Sequence, residues 1–125
     1  PMAALELWHN PRCSKSRAAL TLLESQRRPF TLRLYLETPP TREVLAEVIH
    51  ALGLTPQTFL RRKEDAFKTL ALAEASEDAC LDAMVAHPVL IERPVLVAGD
   101  RAALGRPDTS TLRALLDAQA VESST

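Results

Sequence analysis

A cysteine among basic residues is the most reactive feature that the sequence suggests. Arg12, Lys15 and Arg17 lie within four positions of Cys13, and His9 precedes it by four. The thiolate is the nucleophilic form of cysteine, and nearby positive charge favours it. The same charges would hold a tetrahedral oxyanion. The alternative, a small buried thiol at a tight turn, fits these charges poorly. We therefore predict that Cys13 is a nucleophile.

The residues around Cys13 exclude several other chemistries. A cysteine phosphatase needs an arginine six positions after its cysteine, but here that position is Ala19 and the arginine is Arg17. Ser16 stands where a dithiol enzyme carries its second cysteine, so an external thiol would have to complete a redox cycle. No cluster has zinc-ligand spacing, and we predict no metal site. Cys80 has no basic sequence neighbour and is predicted to be a structural thiol.

The elements that position Cys13 follow from the hydrophobic periodicity. Alternating apolar residues predict strands, and apolar residues three and four apart predict helices. Proline, glycine and capping residues predict where each element ends. The predicted strands are 5–8, 30–36, 95–98 and 101–104, and the predicted helices are 14–26, 41–52, one or two within 55–72, one from 76 to Pro88 and one after Asp108.

The order of these elements predicts a thioredoxin-like α/β fold. The first strand-helix-strand unit is a right-handed crossover, so its two strands should be parallel. The two-residue turn Gly99–Asp100 should join an antiparallel pair. The result is a four-stranded mixed sheet with helices on both sides and an inserted helical stretch. Cys13 would then lie after a strand and at a helix N-terminus, where ligands bind and the helix dipole favours a thiolate.

The composition indicates one globular domain over residues 1–125, with a core of about 4–117 and a polar, frayed tail at 118–125. The net charge of −1 argues against a nucleic-acid or anionic-membrane binder. No apolar run reaches the ~20 residues that span a bilayer. We also expect no secretory signal, since the N-terminal residues lead directly into a strand. The expected location is cytoplasmic, with reduced thiols.

Several motifs occur in order between about Leu5 and Leu116. The segment His9–Arg17 fits an H-x3-C-x3-R pattern. Taken together, the motifs resemble the glutaredoxin- and glutathione-coupled arsenate reductases of the ArsC family. The segment NPRCSKSR is similar to the corresponding segment of a widespread bacterial subgroup that is often called arsenate reductase. The other matching segments are Tyr35–Arg42, Leu60–Lys63, His87–Pro88, Ile91–Val95 and Gly105–Pro107.

The resemblance implies a function for the chain and roles for its residues. Cys13 would attack arsenate, and His9 would help to keep the thiol ionised. Glutathione would attack the adduct as a co-substrate, glutaredoxin would reduce the mixed disulfide, and arsenite would be released. No bound cofactor, nucleic acid or membrane would take part. The substrate-binding residues would be Arg17, Arg61, Arg93 and Arg106.

The residues support these roles to different degrees. Arg62 follows Arg61, so a solvated helix face is an alternative, and which of the two faces the site stays open. The pair Arg93–Pro94 enters the third strand, where a thioredoxin-like fold carries a cis proline, so we predict a cis peptide bond there. Asn10 and Ser16 are expected to orient the loop through hydrogen bonds.

Two alternatives to arsenate reduction remain open. A glutaredoxin-like oxidoreductase acting on glutathione mixed disulfides fits the Cys13-x-x-Ser16 pattern, although dispersed arginines suit an anion better. The Spx regulators, which bind RNA polymerase, are similar in fold but often carry a C-x-x-C switch that is absent here. Arg12, Ser14 and Lys15 stand where the best-studied arsenate reductases have small or neutral residues, so the preferred oxyanion also stays open.

Overall fold

A four-stranded mixed sheet organises the computed structural model, which describes the backbone of residues 4–124 and the side chains of residues 4–120. The strand order is β2-β1-β3-β4, with β1 parallel to β2 and antiparallel to β3, and β3 antiparallel to β4. This confirms the predicted thioredoxin-like α/β arrangement. The strands are β1 (Leu5–Trp8), β2 (Phe30–Arg33), β3 (Val95–Ala98) and β4 (Arg101–Leu104).

Two helices begin at the capping residues that the sequence predicts. Thr41 Oγ1 accepts a hydrogen bond from the Val44 amide at 3.2 Å, and Ser76 Oγ accepts one from Ala79 at 3.1 Å. None of the helices in the described part of the chain is long and apolar enough to cross a bilayer. The helices are α1 (Ser14–Ser25), α2 (Arg42–Ala51), α3 (Pro56–Phe59), α4 (Asp65–Thr69), α5 (Glu77–Ala86) and α6 (Ser110–Ser124), with 3₁₀ turns at Leu72–Glu74 and Pro88–Leu90.

The second strand is shorter than predicted. It ends at Arg33 rather than Leu36, because its neighbour β1 ends at Trp8 and Trp8 is the residue opposite Arg33. The alternating leucines of this segment also do not form a buried face. Leu32 and Leu36 are more than 40% exposed, whereas Tyr35 between them is buried. Alternation alone could not show that the strand pairing ends three residues early.

The last helix extends further than predicted. α6 continues to Ser124, into the segment read as a frayed tail, and Thr125 lies outside the described residues. Gln119 in this helix is 6% exposed, and its Oε1 accepts a hydrogen bond from Arg28 Nη1 at 2.7 Å. Tertiary contacts therefore hold a helix whose polar composition suggested fraying.

The chain divides into two compact units. The first comprises the residues up to Leu34 and those from Arg93 onward, and the second comprises Tyr35–Glu92. The sheet, α1 and α6 belong to the first unit, and α2 to α5 belong to the second. The expectation of one domain over 1–125 stays a prediction.

In the first unit, one face of the sheet packs against α1 and α6. β1 and β3 pair directly, Leu5 with Ala98 and Leu7 with Leu96, so these four side chains share that face. Burying a leucine fully contributes about 1.5–3 kcal/mol, so this packing holds α1 against the sheet. The buried helix residues in the cluster are Ala19, Leu22, Leu23, Leu112 and Leu116.

In the second unit, an ion-pair cluster joins two helices. Arg42 at the start of α2 donates from Nε to Asp82 at 2.8 Å and from Nη2 to Asp78 at 2.7 Å, both on α5. Beneath these exposed groups the helices bury apolar side chains, which supply most of the stability since exposed pairs contribute little. The fully buried residues of this unit include Leu45, Ile49, Phe59 and Met84.

Candidate active site

Cys13 is the N-cap residue of α1. Its backbone is extended (φ −96°, ψ 124°), and its carbonyl accepts the Arg17 amide at 2.9 Å. The side chain is 9% exposed and caps no amide of the helix. First-turn amides have no acceptor within a helix, and they form the positive end of its dipole. Cys13 therefore stands at the positive end of the α1 dipole, and its role as a nucleophile stays a prediction.

The loop before Cys13 is held by Asn10 and Ser16. Ser16 is fully buried, and its Oγ accepts a hydrogen bond from the Asn10 amide at 3.1 Å. Asn10 Oδ1 accepts from the Arg12 amide at 3.0 Å, and the Asn10 carbonyl accepts from the Cys13 amide at 3.0 Å. These are the bonds that the predicted loop-orienting role requires.

Two basic residues of α1 have local partners in the structure. Arg17, predicted to bind substrate, donates from Nη1 to the Pro11 carbonyl at 3.0 Å. Lys15 lies close enough to Asp108 to act on its carboxylate. Hydrogen bonds from Ser110 are the main cause that holds the pKa of Asp108 below its usual value, and Lys15 adds to this.

His9 is a buried, neutral histidine. It is 3% exposed, and its backbone amide donates to the Arg33 carbonyl at 2.9 Å. Among the described residues, His9 Nδ1 has no hydrogen-bond partner. Burial is the main cause that lowers its pKa below 6.5, and the charge of Arg17 lowers it further, against a hydrogen bond with the Ser16 backbone that raises it. His9 is therefore mostly neutral near pH 7, and its part in keeping the Cys13 thiol ionised stays a prediction.

Because His9 is buried, we expect the protein to become less stable as the pH falls. Because its folded-state pKa lies below the unfolded value of 6.5, its stabilising contribution is complete above pH 6.5 and is lost as the pH falls through the window beneath it. We expect the free energy of unfolding to decrease between about pH 7.5 and about pH 5.5, and to decrease less in His9→Asn. Urea unfolding of both proteins at both pH values measures this. Equal decreases in the two proteins would contradict it.

Arg93 and Arg106 belong to two segments that lie side by side in the first unit. Arg106 Nη1 donates to the Arg93 carbonyl at 3.2 Å, and the Gly105 amide donates to the Pro94 carbonyl at 2.9 Å. The Arg93–Pro94 peptide bond is cis, as the sequence led us to expect, and Arg106–Pro107 is a second cis bond that was not predicted. Both arginines are half-buried.

Gly105 is a residue of this arrangement to which the sequence analysis gave no role. A Cβ atom at Gly105 would lie 2.7 Å from Pro94 Cγ and 3.2 Å from Leu112 Cδ1. Only glycine fits such an approach without displacing its neighbours. The available signals were its place in the Gly105–Pro107 motif and the predicted hairpin, in which Gly105 lies opposite Pro94, one position beyond the pair Val95–Leu104. The hairpin does not show how closely the proline ring approaches.

Arg61 lies in the second unit and contacts two carboxylates. Its Nε is 3.1 Å from Glu64 Oε1 and its Nη1 is 3.3 Å from Glu92 Oε1, with 16% of its side chain exposed. The bridge between Leu60 and Ile91 holds the two segments together. The solvated helix face considered for Arg61 is therefore wrong. The neighbouring Arg62 is exposed, with its guanidinium 5.2 Å from the Phe67 ring centre.

We expect Arg61→Ala to destabilise the fold more than Arg62→Ala does. Removing Arg61 leaves the half-buried Glu64 and Glu92 without this cation, which should cost about 1–2 kcal/mol. Arg62 loses an exposed contact over a ring, at about 0.5 kcal/mol. Urea unfolding of the two variants at one pH compares them. An equal loss would show that the carboxylate contacts of Arg61 contribute no net stability.

Comparison with known proteins assigns the family. The sequence model of the ArsC family matches residues 8–114. The chain belongs to the ArsC family. It is 43% identical over 109 residues to the arsenate reductase of Neisseria meningitidis, covering 85% of this chain and 93% of that protein. It is 37% identical over 120 residues to the arsenate reductase of Escherichia coli, covering 94% and 85%.

A solved structure supports the fold of this ArsC protein. The arsenate reductase of Vibrio cholerae matches with a TM-score of 0.82 at 40% identity, covering 90% of this chain and 98% of that one.

The remaining cysteine of the ArsC chain is structural. Cys80 lies in α5 with no exposed surface, and burial is the main cause that raises its thiol pKa above 9.0. Both cysteines are free thiols. Within residues 4–124, no group of three His, Cys, Asp or Glu side chains is arranged to hold a metal ion. Cys13 is therefore the cysteine whose surroundings suit nucleophilic chemistry.

Proposed function

We propose that this ArsC-family chain reduces arsenate to arsenite with Cys13 as the nucleophile. The observation that carries the proposal is the place of Cys13 at the N-cap of a 12-residue helix with no acidic residue in its first turn. Relatives at 37–43% identity bear the name arsenate reductase. Arsenate is a tetrahedral oxyanion, which helix amides and basic side chains bind well.

The first step forms a bond between sulfur and arsenic. The Cys13 thiolate attacks hydrogen arsenate, HAsO₄²⁻, and one oxygen leaves as water after taking up two protons. The product is the adduct Cys13-S–AsO₃H⁻, in which arsenic is still pentavalent. The amides of the first turn of α1 would stabilise the oxyanion, because they are donors fixed in place before the reaction.

The second step needs a thiol from outside the chain. Ser16 occupies the position of a resolving cysteine, and its fully buried side chain accepts a loop hydrogen bond instead. Glutathione would attack Cys13 Sγ, the arsenic–sulfur bond would break, and its electron pair would reduce arsenic to the trivalent state. The thiol proton and one solvent proton complete arsenous acid, H₃AsO₃. The two sulfurs, each oxidised by one electron, form a mixed disulfide.

Glutaredoxin would then remove glutathione from Cys13 by thiol–disulfide exchange and return the thiolate. In this proposal glutathione is a co-substrate, and no cofactor stays bound to the chain. Such a cycle needs a compartment that keeps thiols reduced, so we place the protein in the cytoplasm. Two free cysteines fit that compartment.

We propose Arg93 and Arg106 as oxyanion ligands. Their segments lie together in the first unit, and arginine can offer two parallel donors to an oxyanion. Arg61 is proposed as a third ligand on the family motif alone, since Glu64 and Glu92 already contact its guanidinium. Replacing any of these residues should raise the KM for arsenate.

Arsenate-dependent oxidation of NADPH tests the function. The assay couples the protein to glutathione, glutathione reductase and glutaredoxin. We expect turnover only when arsenate, glutathione and the protein are all present. Turnover that does not depend on arsenate but does depend on a glutathionylated peptide would contradict the proposal and favour disulfide exchange. If neither arsenate nor the glutathionylated peptide supports turnover, the proposal is also contradicted.

A further inference from the structure

The loop that presents Cys13 is closed by a charged side chain from α1. Pro11 has no amide hydrogen, so the loop has one donor fewer than its length suggests. The Pro11 carbonyl accepts a hydrogen bond from Arg17 Nη1 at 3.0 Å. Arg17 also donates its backbone amide to the Cys13 carbonyl at 2.9 Å. One residue therefore bonds to the loop at two points, on either side of Arg12.

The positive charge of Arg17 lies at an electrostatically unfavourable position in α1, unless its bond to the loop compensates for this. A cation in the first turns of a helix opposes the dipole, and the first turn of α1 holds no acidic residue to offset it. Helical side chains point back toward the N-terminus, which brings the guanidinium over the loop. The lowered pKa of His9, to which the charge of Arg17 contributes, agrees with this placement.

We propose that Arg17 is a positioning residue, which fixes the turn from Asn10 to Cys13 through its bond to the Pro11 carbonyl. This differs from the substrate-binding role that the sequence suggests for it. The turn holds the Cys13 amide on the Asn10 carbonyl, and so sets where the thiol stands relative to the helix amides. The proposal rests on the proposed function only in naming the reaction that the positioned thiol performs.

Arg12 provides a matched control for the test. Arg12 and Arg17 are both exposed, carry the same charge and flank the same cysteine. In the described part of the chain, the side chain of Arg17 bonds to the loop, whereas that of Arg12 makes no hydrogen bond. Arg17→Met and Arg12→Met therefore remove equal charge, but only the first removes the loop contact.

The test measures amide hydrogen exchange at Arg12 and Cys13, without any oxyanion. We expect both amides to exchange about fivefold to tenfold faster in Arg17→Met, because one solvent-exposed hydrogen bond is lost. Arg12→Met should exchange at about the wild-type rate at Cys13. Arg17→Lys keeps the positive charge and one donor group, so its exchange rates should lie between those of the wild type and Arg17→Met. Unchanged exchange in Arg17→Met overturns the proposal.

Steady-state kinetics separates positioning from substrate binding. For Arg17→Met we expect a lower kcat for arsenate with a KM within about twofold of wild type. A raised KM with unchanged kcat would make Arg17 a substrate ligand and overturn the proposal. If the wild type proves inactive toward arsenate, the proposed function fails, and the exchange measurement still decides the role of Arg17.

Discussion

Replacement of Cys13 by serine is expected to abolish arsenate turnover while the protein stays folded. Serine keeps the size of the side chain, and an N-cap serine is a good helix cap, so α1 should remain stable. A hydroxyl at this position is not ionised near neutral pH, so serine is a much weaker nucleophile than a cysteine thiolate. We expect turnover to fall by on the order of 10³-fold or more.

Cys80→Ala is the control for this prediction. Cys80 is fully buried in α5, and burial raises its thiol pKa. Its loss should leave turnover within about twofold of wild type and cost about 1 kcal/mol of unfolding free energy through a small cavity. The coupled assay and urea unfolding measure both effects. Wild-type turnover in Cys13→Ser would remove Cys13 from the proposed mechanism. Loss of turnover in a folded Cys80→Ala protein would contradict the structural role given to Cys80.

Gly105→Ala is expected to have the largest effect on stability of the changes considered. The new Cβ would lie 2.7 Å from Pro94 Cγ, a distance that requires the ring or the backbone to move. Overpacking of this kind costs about 1–3 kcal/mol. Since Arg93 precedes Pro94 and Arg106 follows Gly105, the displacement should also weaken oxyanion binding. We expect a higher KM for arsenate and a lower melting temperature.

Gly53→Ala separates the steric effect from a general cost of replacing glycine. Gly53 has a φ of +73°, and a Cβ there would meet no atom within 4 Å. The change should cost about 1–2 kcal/mol through backbone strain and leave the KM for arsenate unchanged. Thermal unfolding and arsenate kinetics compare the two variants. If Gly105→Ala leaves the KM unchanged while Gly53→Ala raises it, the role given to Gly105 is wrong.

The fold was largely predictable because its elements carry local signals. Val95–Ala98, the turn at Gly99 and Arg101–Leu104 were predicted with their observed limits, since a two-residue turn specifies the pairing of the strands that flank it. The helix caps at Thr41 and Ser76 are likewise local bonds. The end of β2 was not predictable, because it depends on where a different strand stops.

The candidate site was predictable only where it depends on residues close in sequence. Cys13, Asn10 and Ser16 interact within seven positions, so a loop between a strand and a helix already brings them together. The predicted hairpin also places Gly105 opposite Pro94, one position beyond the pair Val95–Leu104, but the close approach of the proline ring depends on side-chain packing that no periodicity reports.

The amino-acid sequence predicted Cys13 as the nucleophile and specified the order of the elements and the family to which the chain belongs. It could do so because helix starts, turns and short motifs are encoded by neighbouring residues. The tertiary structure alone decided the electrostatic state of the basic residues. Burial makes His9 neutral, Glu64 and Glu92 engage Arg61, and the Pro11 carbonyl engages Arg17. The effect of a charged residue depends on its solvation and its partners, and the tertiary structure sets both.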